Sequence, residues 1–188
     1  MKKVINPPKN NSHIGTKKGL ALAQLGLMLE YPDQNYLERM SKLAANVHNS
    51  CPEAKEHLEP LLSELSSKSF QHWQEFYTST FDLAAICSLY TTGYIFGDEN
   101  FDRGTVMAIF NEQYTEAGFN PGKELPDHLT CILKYAAHID GETLTELINY
   151  CLIVPVEKMI EQLNLSKNLY KHLLSAVLVV LKNKDCEE

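Results

Sequence analysis

The sequence predicts an all-α fold, a single-domain helical bundle of about eight or nine helices. Three observations predict it. Apolar residues recur at three- and four-residue intervals along most of the chain. No segment alternates apolar and polar residues between hairpin turns. Pro, Gly, Ser and Asn fall between the apolar stripes, where helices start and stop. A chain of 188 residues, 44% hydrophobic and 22% charged, can bury a substantial core as one domain.

Residues 1–18 read as a mobile basic tail and residues 19–188 as the helical domain. The first stripe, Leu20, Ala23, Leu25, Leu27 and Leu29, ends before Pro32. Asp33 can cap the next, through Leu37, Met40, Leu43, Ala44 and Val47. Ser50 and Glu53 have capping-box spacing with Pro52 in the first turn, opening a helix through Leu58, Leu61, Leu62 and Leu65 that Pro60 can kink. Trp73, Phe76, Tyr77 and Phe81 form an aromatic helical face, and another helix is expected from Leu83 to Phe96, followed by a turn at residues 97–100. Val106, Ile109, Phe110, Gln113, Tyr114 and Ala117 trace a stripe that Gly118 can stop. After a loop at residues 120–124, Pro126 starts a helix carrying Leu129, Ile132, Leu133 and Ala136. Two further stripes run through Leu144, Leu147, Ile148 and Cys151, and through Val156, Ile160 and Leu163. Ser166 is the expected cap of the last, Leu169 to Leu181.

The formal net charge of −7 is unevenly spread. Residues 1–18 hold five lysines and no acid, leaving 12 basic against 24 acidic side chains, a net of −12. Residues 70–150 contain three bases, Arg103, Lys123 and Lys134, and twelve acids. Nucleic acid is excluded as a partner, because phosphate neutralisation needs clustered Lys and Arg. The acidic surface suits a basic partner, or simply keeps the helices soluble. Five cysteines, none at C-x-x-C spacing, read as small buried hydrophobes in a reducing compartment. The N-terminal lysines precede Asn and Pro rather than an apolar run, and no apolar stretch approaches the ~20 residues needed to span a bilayer. A cytoplasmic protein without membrane insertion is expected.

No Gly-rich phosphate loop, paired-histidine metal motif or nucleophile elbow is present, and the seven histidines are scattered. No metal site and no catalytic residue is expected. The Asp127–His128 pair has three readings. Adjacent residues do not form the usual relay, which disfavours a catalytic dyad. Asp127 after Pro126 suits the positive end of a helix dipole. Alternatively, Asp127 and Glu124 present charge at a groove rim. Arg103, amid Asp98, Glu99 and Asp102, either pins a turn to a neighbouring helix through a carboxylate or contacts a partner. Trp73, Phe76, Tyr77, Phe81, Tyr90 and Tyr94 are core by spacing, yet tyrosines can also wall a peptide groove.

Read in order, several segments carry more than their spacing. Tyr77-Thr78-Ser79-Thr80-Phe81-Asp82 is followed by Leu89-Tyr90, Gly97-Asp98, Asp102-Arg103-Gly104-Thr105-Val106-Met107, Gln113-Tyr114, Ala117-Gly118-Phe119 and Glu124-Leu125-Pro126-Asp127-His128-Leu129. This series resembles the NarJ family, the delta subunits of respiratory nitrate reductases, akin to the TorD and DmsD chaperones. Leu29-Glu30-Tyr31-Pro32-Asp33 is similar to the end of that family's first helix. The resemblance covers roughly Leu20 to Ala137. Thr130, Lys134 and the absence of Arg-Gly after Phe81-Asp82 depart from the pattern.

The resemblance implies a TorD-like helical fold without catalytic turnover, working as a monomer or weak dimer. It implies a cytoplasmic assembly chaperone that binds the N-terminal or leader segment of a molybdenum-enzyme catalytic subunit. No cofactor would be stably bound, but molybdenum cofactor insertion into the client would be assisted before membrane docking or export. The client-binding residues expected are Tyr77, Phe81, Asp82, Tyr90, Asp102, Arg103, Tyr114, Glu124, Pro126, Asp127 and His128. The departures leave the client open between nitrate reductase and relatives acting on dimethyl sulfoxide, selenate, chlorate or hydrocarbons. Two other readings remain: a small helical enzyme using Asp127 and His128, with a closed pocket, and a permanent structural subunit of a respiratory complex, with a large apolar surface.

Overall fold

The computed structural model describes residues 15–97 and 101–184. Among these are ten α-helices: α1 (Lys17–Met28), α2 (Tyr36–Ser50), α3 (Lys55–Leu65), α4 (Phe70–Phe81), α5 (Thr91–Phe96), α6 (Phe101–Glu116), α7 (Leu129–Tyr135), α8 (Gly141–Glu146), α9 (Ile153–Leu165) and α10 (Tyr170–Lys182). Three-residue 3₁₀ turns precede α3 and follow α7, and a π-helical segment, Leu147–Leu152, joins α8 to α9 without a break. The expected all-helical bundle is the observed fold.

α1 is the central rod. Its first turn is capped by the Thr16 hydroxyl, which accepts from the Gly19 amide at 3.0 Å. Ala21, Leu22, Leu25, Met28 and Leu29 are fully buried, and α1 packs against α2, α7 and α10. Close packing on α7 is possible because Gly19 faces the Ala136 carbonyl and Gly26 faces Leu133 and Thr130 with no Cβ between them. α10 is the second buried rod, with Leu173, Leu174, Ala176, Val177 and Val180 all inaccessible. It is held to α4 by Asn168, whose Nδ2 donates to Thr80 Oγ1 at 2.8 Å while its Oδ1 accepts from the Tyr170 amide. The aromatic face of α4 packs there: Phe76 stacks on Tyr170 at 5.3 Å, and Phe81 lies 4.9 Å from the same ring.

Several boundaries differ from the sequence reading. α1 begins at Lys17 and buries Lys18, so the last two residues assigned to the tail are already helical; residues 1–14 lie outside the described residues, as does part of the turn expected at 97–100. Asp33 does not cap α2 but closes the preceding turn, accepting from the Asn35 amide and from Arg39 Nη1. Ser50 ends α2 instead of capping α3. Asn168 supplies the contact at the start of α10 that was expected of Ser166, which closes α9. The expected helix from Leu83 to Phe96 is α5 alone. Residues 82–90 are an irregular segment with Ala84 at φ 50°, buried Cys87 and Leu89, and exposed Leu83 and Ile86. Likewise α7 starts at Leu129, three residues after Pro126. Gly118, at φ +66°, does stop α6, and the Phe119 amide bonds back to the Tyr114 carbonyl at 2.8 Å.

Candidate functional site

The segments that abandon helix meet at one place. Tyr90 and His128 form an isolated antiparallel bridge. It is extended on either side, where the Leu129 amide donates to the Leu89 carbonyl at 2.8 Å and the Thr91 amide donates to the Asp127 carbonyl at 3.0 Å. The bridge places the Tyr90 ring edge-on to the His128 imidazole at 5.1 Å. Above it opens a cleft of about 580 Å³. One wall is aromatic: Tyr31 packs edge-on to Tyr77 at 5.3 Å, and Tyr77 packs on Phe81 at 5.0 Å. The other wall comes from the loop at residues 121–124 and from Thr130 and Lys134 of α7.

The charges facing the cleft are Glu30, Asp33, Asp82 and Glu124 against Arg39, Lys123 and Lys134. Lys134 Nζ bonds Glu30 at 2.7 Å and Arg39 bonds Asp33 at 2.8 Å. Asp82 and Glu124 take part in no ion pair among the described residues. Partial desolvation, with Glu124 nearby, raises the Asp82 carboxyl above its ordinary range against the opposing pull of His128. Burial, reinforced by Asp82 and Glu124, likewise raises the Tyr77 phenol. His128 is pushed below the usual histidine value by burial, although Glu124, Asp127 and Asp82 pull it back up. Its Nδ1 is hydrogen-bonded to Thr130 Oγ1 at 2.7 Å.

The structure brings Tyr77, Phe81, Asp82, Tyr90, Glu124 and His128 together on this cleft. The other expected residues stand behind it. Asp127 is fully buried, which corrects the rim reading, and α7 starts only at Leu129 with His128 as its cap, which corrects the helix-start reading. Its Oδ2 accepts from Thr92 Oγ1 and from Arg103 Nη2, the latter at 3.3 Å. Arg103 therefore pins α6 to the loop before α7, the first of the two roles expected of it. Tyr114 is buried and donates its hydroxyl to the Pro126 carbonyl at 2.7 Å, bracing the same loop. Asp102 lies exposed in the first turn of α6 and does not line the cleft. Asp127 and His128 point to different partners, so they do not form the acid–base dyad that the enzymatic reading requires.

Sequence reasoning missed Thr91 and Thr92, which lock Asp127 from α5. It also did not include Glu30, Tyr31, Arg39 and Lys134 in the site. Tyr31 and Glu30 lie in the Leu29–Asp33 motif, and that was the available signal. No group of His, Cys, Asp and Glu able to hold a metal ion occurs among the described residues, and no helix there is long and apolar enough to cross a membrane.

Comparison with known proteins gives concordant results. A solved structure from Archaeoglobus fulgidus, described as a candidate redox enzyme maturation protein, superposes with a TM-score of 0.61 over 97% of this chain and 100% of that one, at 17% identity, and shares the fold. A protein of Bacillus subtilis (strain 168), described as a candidate nitrate reductase molybdenum cofactor assembly chaperone NarJ, is 26% identical over 89% of this chain and 91% of its own length. The Escherichia coli (strain K12) nitrate reductase molybdenum cofactor assembly chaperone NarJ is 31% identical over 68% of this chain and 55% of its own length. A nitrate reductase-like protein, NarX, of Mycobacterium tuberculosis is 29% identical over 80% of this chain, which spans only 22% of that longer protein. A family model matches residues 41–176, from α2 to α10. The chain belongs to the nitrate reductase delta subunit family.

Proposed function

We propose that this protein is a cytoplasmic assembly chaperone for a molybdenum-cofactor-containing oxidoreductase. Its Tyr77–Tyr90–His128 cleft receives the N-terminal segment of the catalytic subunit. The observation that carries the assignment of the cleft is the pairing of an aromatic wall with two carboxylates, Asp82 and Glu124, that take part in no ion pair among the described residues. Such a site takes an amphipathic segment: apolar side chains lie against Tyr77, Phe81 and Tyr90, and a Lys or Arg meets the two acids. The protein acts by binding and holds no cofactor of its own; it keeps the client open to molybdenum cofactor insertion before docking or export.

Two measurements test this. Tagged protein recovered from anaerobic, molybdenum-limited cells should carry the cofactor-poor catalytic subunit, identified by mass spectrometry. A permanent subunit would instead follow the mature enzyme. A labelled peptide covering the N-terminal segment of that subunit should bind in a salt-dependent manner and compete with the subunit. Recovery of no molybdoenzyme subunit overturns the chaperone reading. Recovery without peptide binding overturns the assignment of the cleft.

A further inference from the structure

A second pocket, of about 430 Å³, shares a wall with the cleft. The shared wall is Tyr90, which lines both. The other sides of the pocket include Ile86, Tyr94, Arg103 and Gln162. The segment after α4 leaves helix to pair with the loop before α7, and this departure keeps Ile86 41% exposed, an apolar surface in water beside the pocket.

The charge changes sign from one side of Tyr90 to the other. On the cleft side stand Asp82 and Glu124, which take part in no ion pair among the described residues. On the other side, the charged side chain among the described lining residues is Arg103. Its side chain is 23% exposed, and its hydrogen bond among the described residues runs from Nη2 to Asp127, so guanidinium donors remain. Gln162 accepts from the Tyr94 hydroxyl through Oε1 at 2.8 Å, which leaves its amide hydrogens to donate. Lys158, one turn earlier on α9, reaches the Tyr94 carbonyl at 2.8 Å and brings a second cation to this side. Asp102 and Glu161, the acids next to Arg103 and Gln162 in sequence, are exposed and line neither the cleft nor this pocket. The Tyr90 phenol feels both sides: burial raises it, Glu124, Asp127 and Asp82 raise it further, and Arg103 lowers it.

We propose that this pocket is a second part of the client site: a segment seated in the cleft by a Lys or Arg continues past Tyr90 and places an Asp or Glu on Arg103 and Gln162, with an apolar neighbour on Ile86. The inference rests on the assignment of the cleft made above and adds a charge pattern to it. A basic residue and an acidic residue flank the apolar stretch that covers Tyr90. The pattern fixes which way round the segment lies, because the opposite placement sets like charges together.

Synthetic peptides of about ten residues test this. They share a Lys-Leu-Phe-Leu core, carry Glu at successive positions on either side of it, and are compared with matched Gln peptides by fluorescence anisotropy on the full chain. At one placement Glu should tighten binding about threefold to fivefold over Gln. Gln162→Glu, at an exposed position, keeps an oxygen for the Tyr94 hydroxyl and should abolish or reverse that preference while dependence on the peptide's Lys persists. Glu124→Gln should do the converse. Peptides that bind without a Glu preference, or with one that survives Gln162→Glu, overturn this inference and leave the cleft assignment standing. Absence of binding, or binding that depends neither on the Lys nor on Glu124, overturns the cleft assignment and this inference with it.

Discussion

Arg103 on α6 donates to the fully buried carboxylate of Asp127 across 3.3 Å. Each partner keeps one buried polar atom, Nε and Oδ1 respectively, without a hydrogen bond among the described residues. The pair is therefore held by one long contact instead of the side-by-side fork an arginine can make. Asp127 draws the rest of its support from α5: its carboxylate accepts from Thr92, and its carbonyl accepts from the Thr91 amide and hydroxyl. Two helices, α5 and α6, converge on one residue, and the next one, His128, forms part of the cleft lining.

Removing one partner of this pair should cost more than its geometry suggests. Arg103→Ala leaves a buried carboxylate with only a threonine, at a cost of about 3 kcal/mol. Asp127→Asn keeps an acceptor for Thr92 and leaves Arg103, 23% exposed, able to find water; its cost is about 1 kcal/mol. Urea unfolding of both variants checks the order. Equal costs would mean that the stranded charge is not the dominant effect.

The exposed acids should behave in the opposite way. Asp82→Asn and Glu124→Gln remove no hydrogen bond seen in the structure and should leave stability unchanged. Each should weaken binding of the client peptide about twofold to fivefold. The double variant should also flatten the dependence of affinity on salt. Calorimetric titration at two ionic strengths reads both effects. Charge reversal at Asp127, by contrast, tests folding, because that carboxylate does not reach the cleft.

The difference between these two acids also marks where the sequence stops being legible. The periodic stripes located the helices because a 3.6-residue repeat is a local property. The partner of Asp127 is not local: Arg103 is 24 residues away and Thr92 is 35 away. Pro126 and Asp127 also have the composition of a helix start, so the local reading favoured one. Residues 83–90 were misread for a related reason. Leu83, Ala84, Ala85 and Ile86 are compatible with helix, but the backbone of Leu89 and Tyr90 pairs with His128 and Leu129, and tertiary pairing overrides propensity. The aromatic wall was legible because Tyr77 and Phe81 share a helix face. The ion pairs Lys134–Glu30 and Arg39–Asp33, which leave Asp82 and Glu124 as the cleft acids without an ion pair among the described residues, were not.

His128 should make stability pH-dependent in a defined direction. Burial lowers its folded value below the ordinary 6.5, against Glu124, Asp127 and Asp82, which raise it, and with Lys134, which lowers it further. The unfolded chain therefore takes up the proton first. The contribution is fully present above pH 6.5 and is lost as pH falls through the folded value. His172 is shifted in the same direction, chiefly by burial. His128→Gln should reduce, and the double variant with His172→Gln should further flatten, the fall in urea midpoint below pH 6.5. An unchanged slope in His128→Gln would mean that its imidazole titrates alike in both states.

Two glycines predict opposite outcomes for the same substitution. At Gly19 a Cβ would collide with the backbone carbonyl of Ala136, and a carbonyl cannot rotate aside as a side-chain tip can. α1 would have to move off the segment following α7, an overpacking cost of about 1–3 kcal/mol. Gly104 lies within α6, is exposed, and has open space where a Cβ would stand. There alanine removes only the backbone freedom of the unfolded chain and should stabilise by about 0.5–1 kcal/mol. Thermal unfolding of Gly19→Ala and Gly104→Ala reads the two signs directly. Because Glu30 lies just beyond the C-terminal end of α1 and carries the Lys134 pair, displacement of α1 should also reach the cleft. Gly19→Ala should therefore weaken client-peptide binding at temperatures where the variant is still folded, whereas Gly104→Ala should leave it intact.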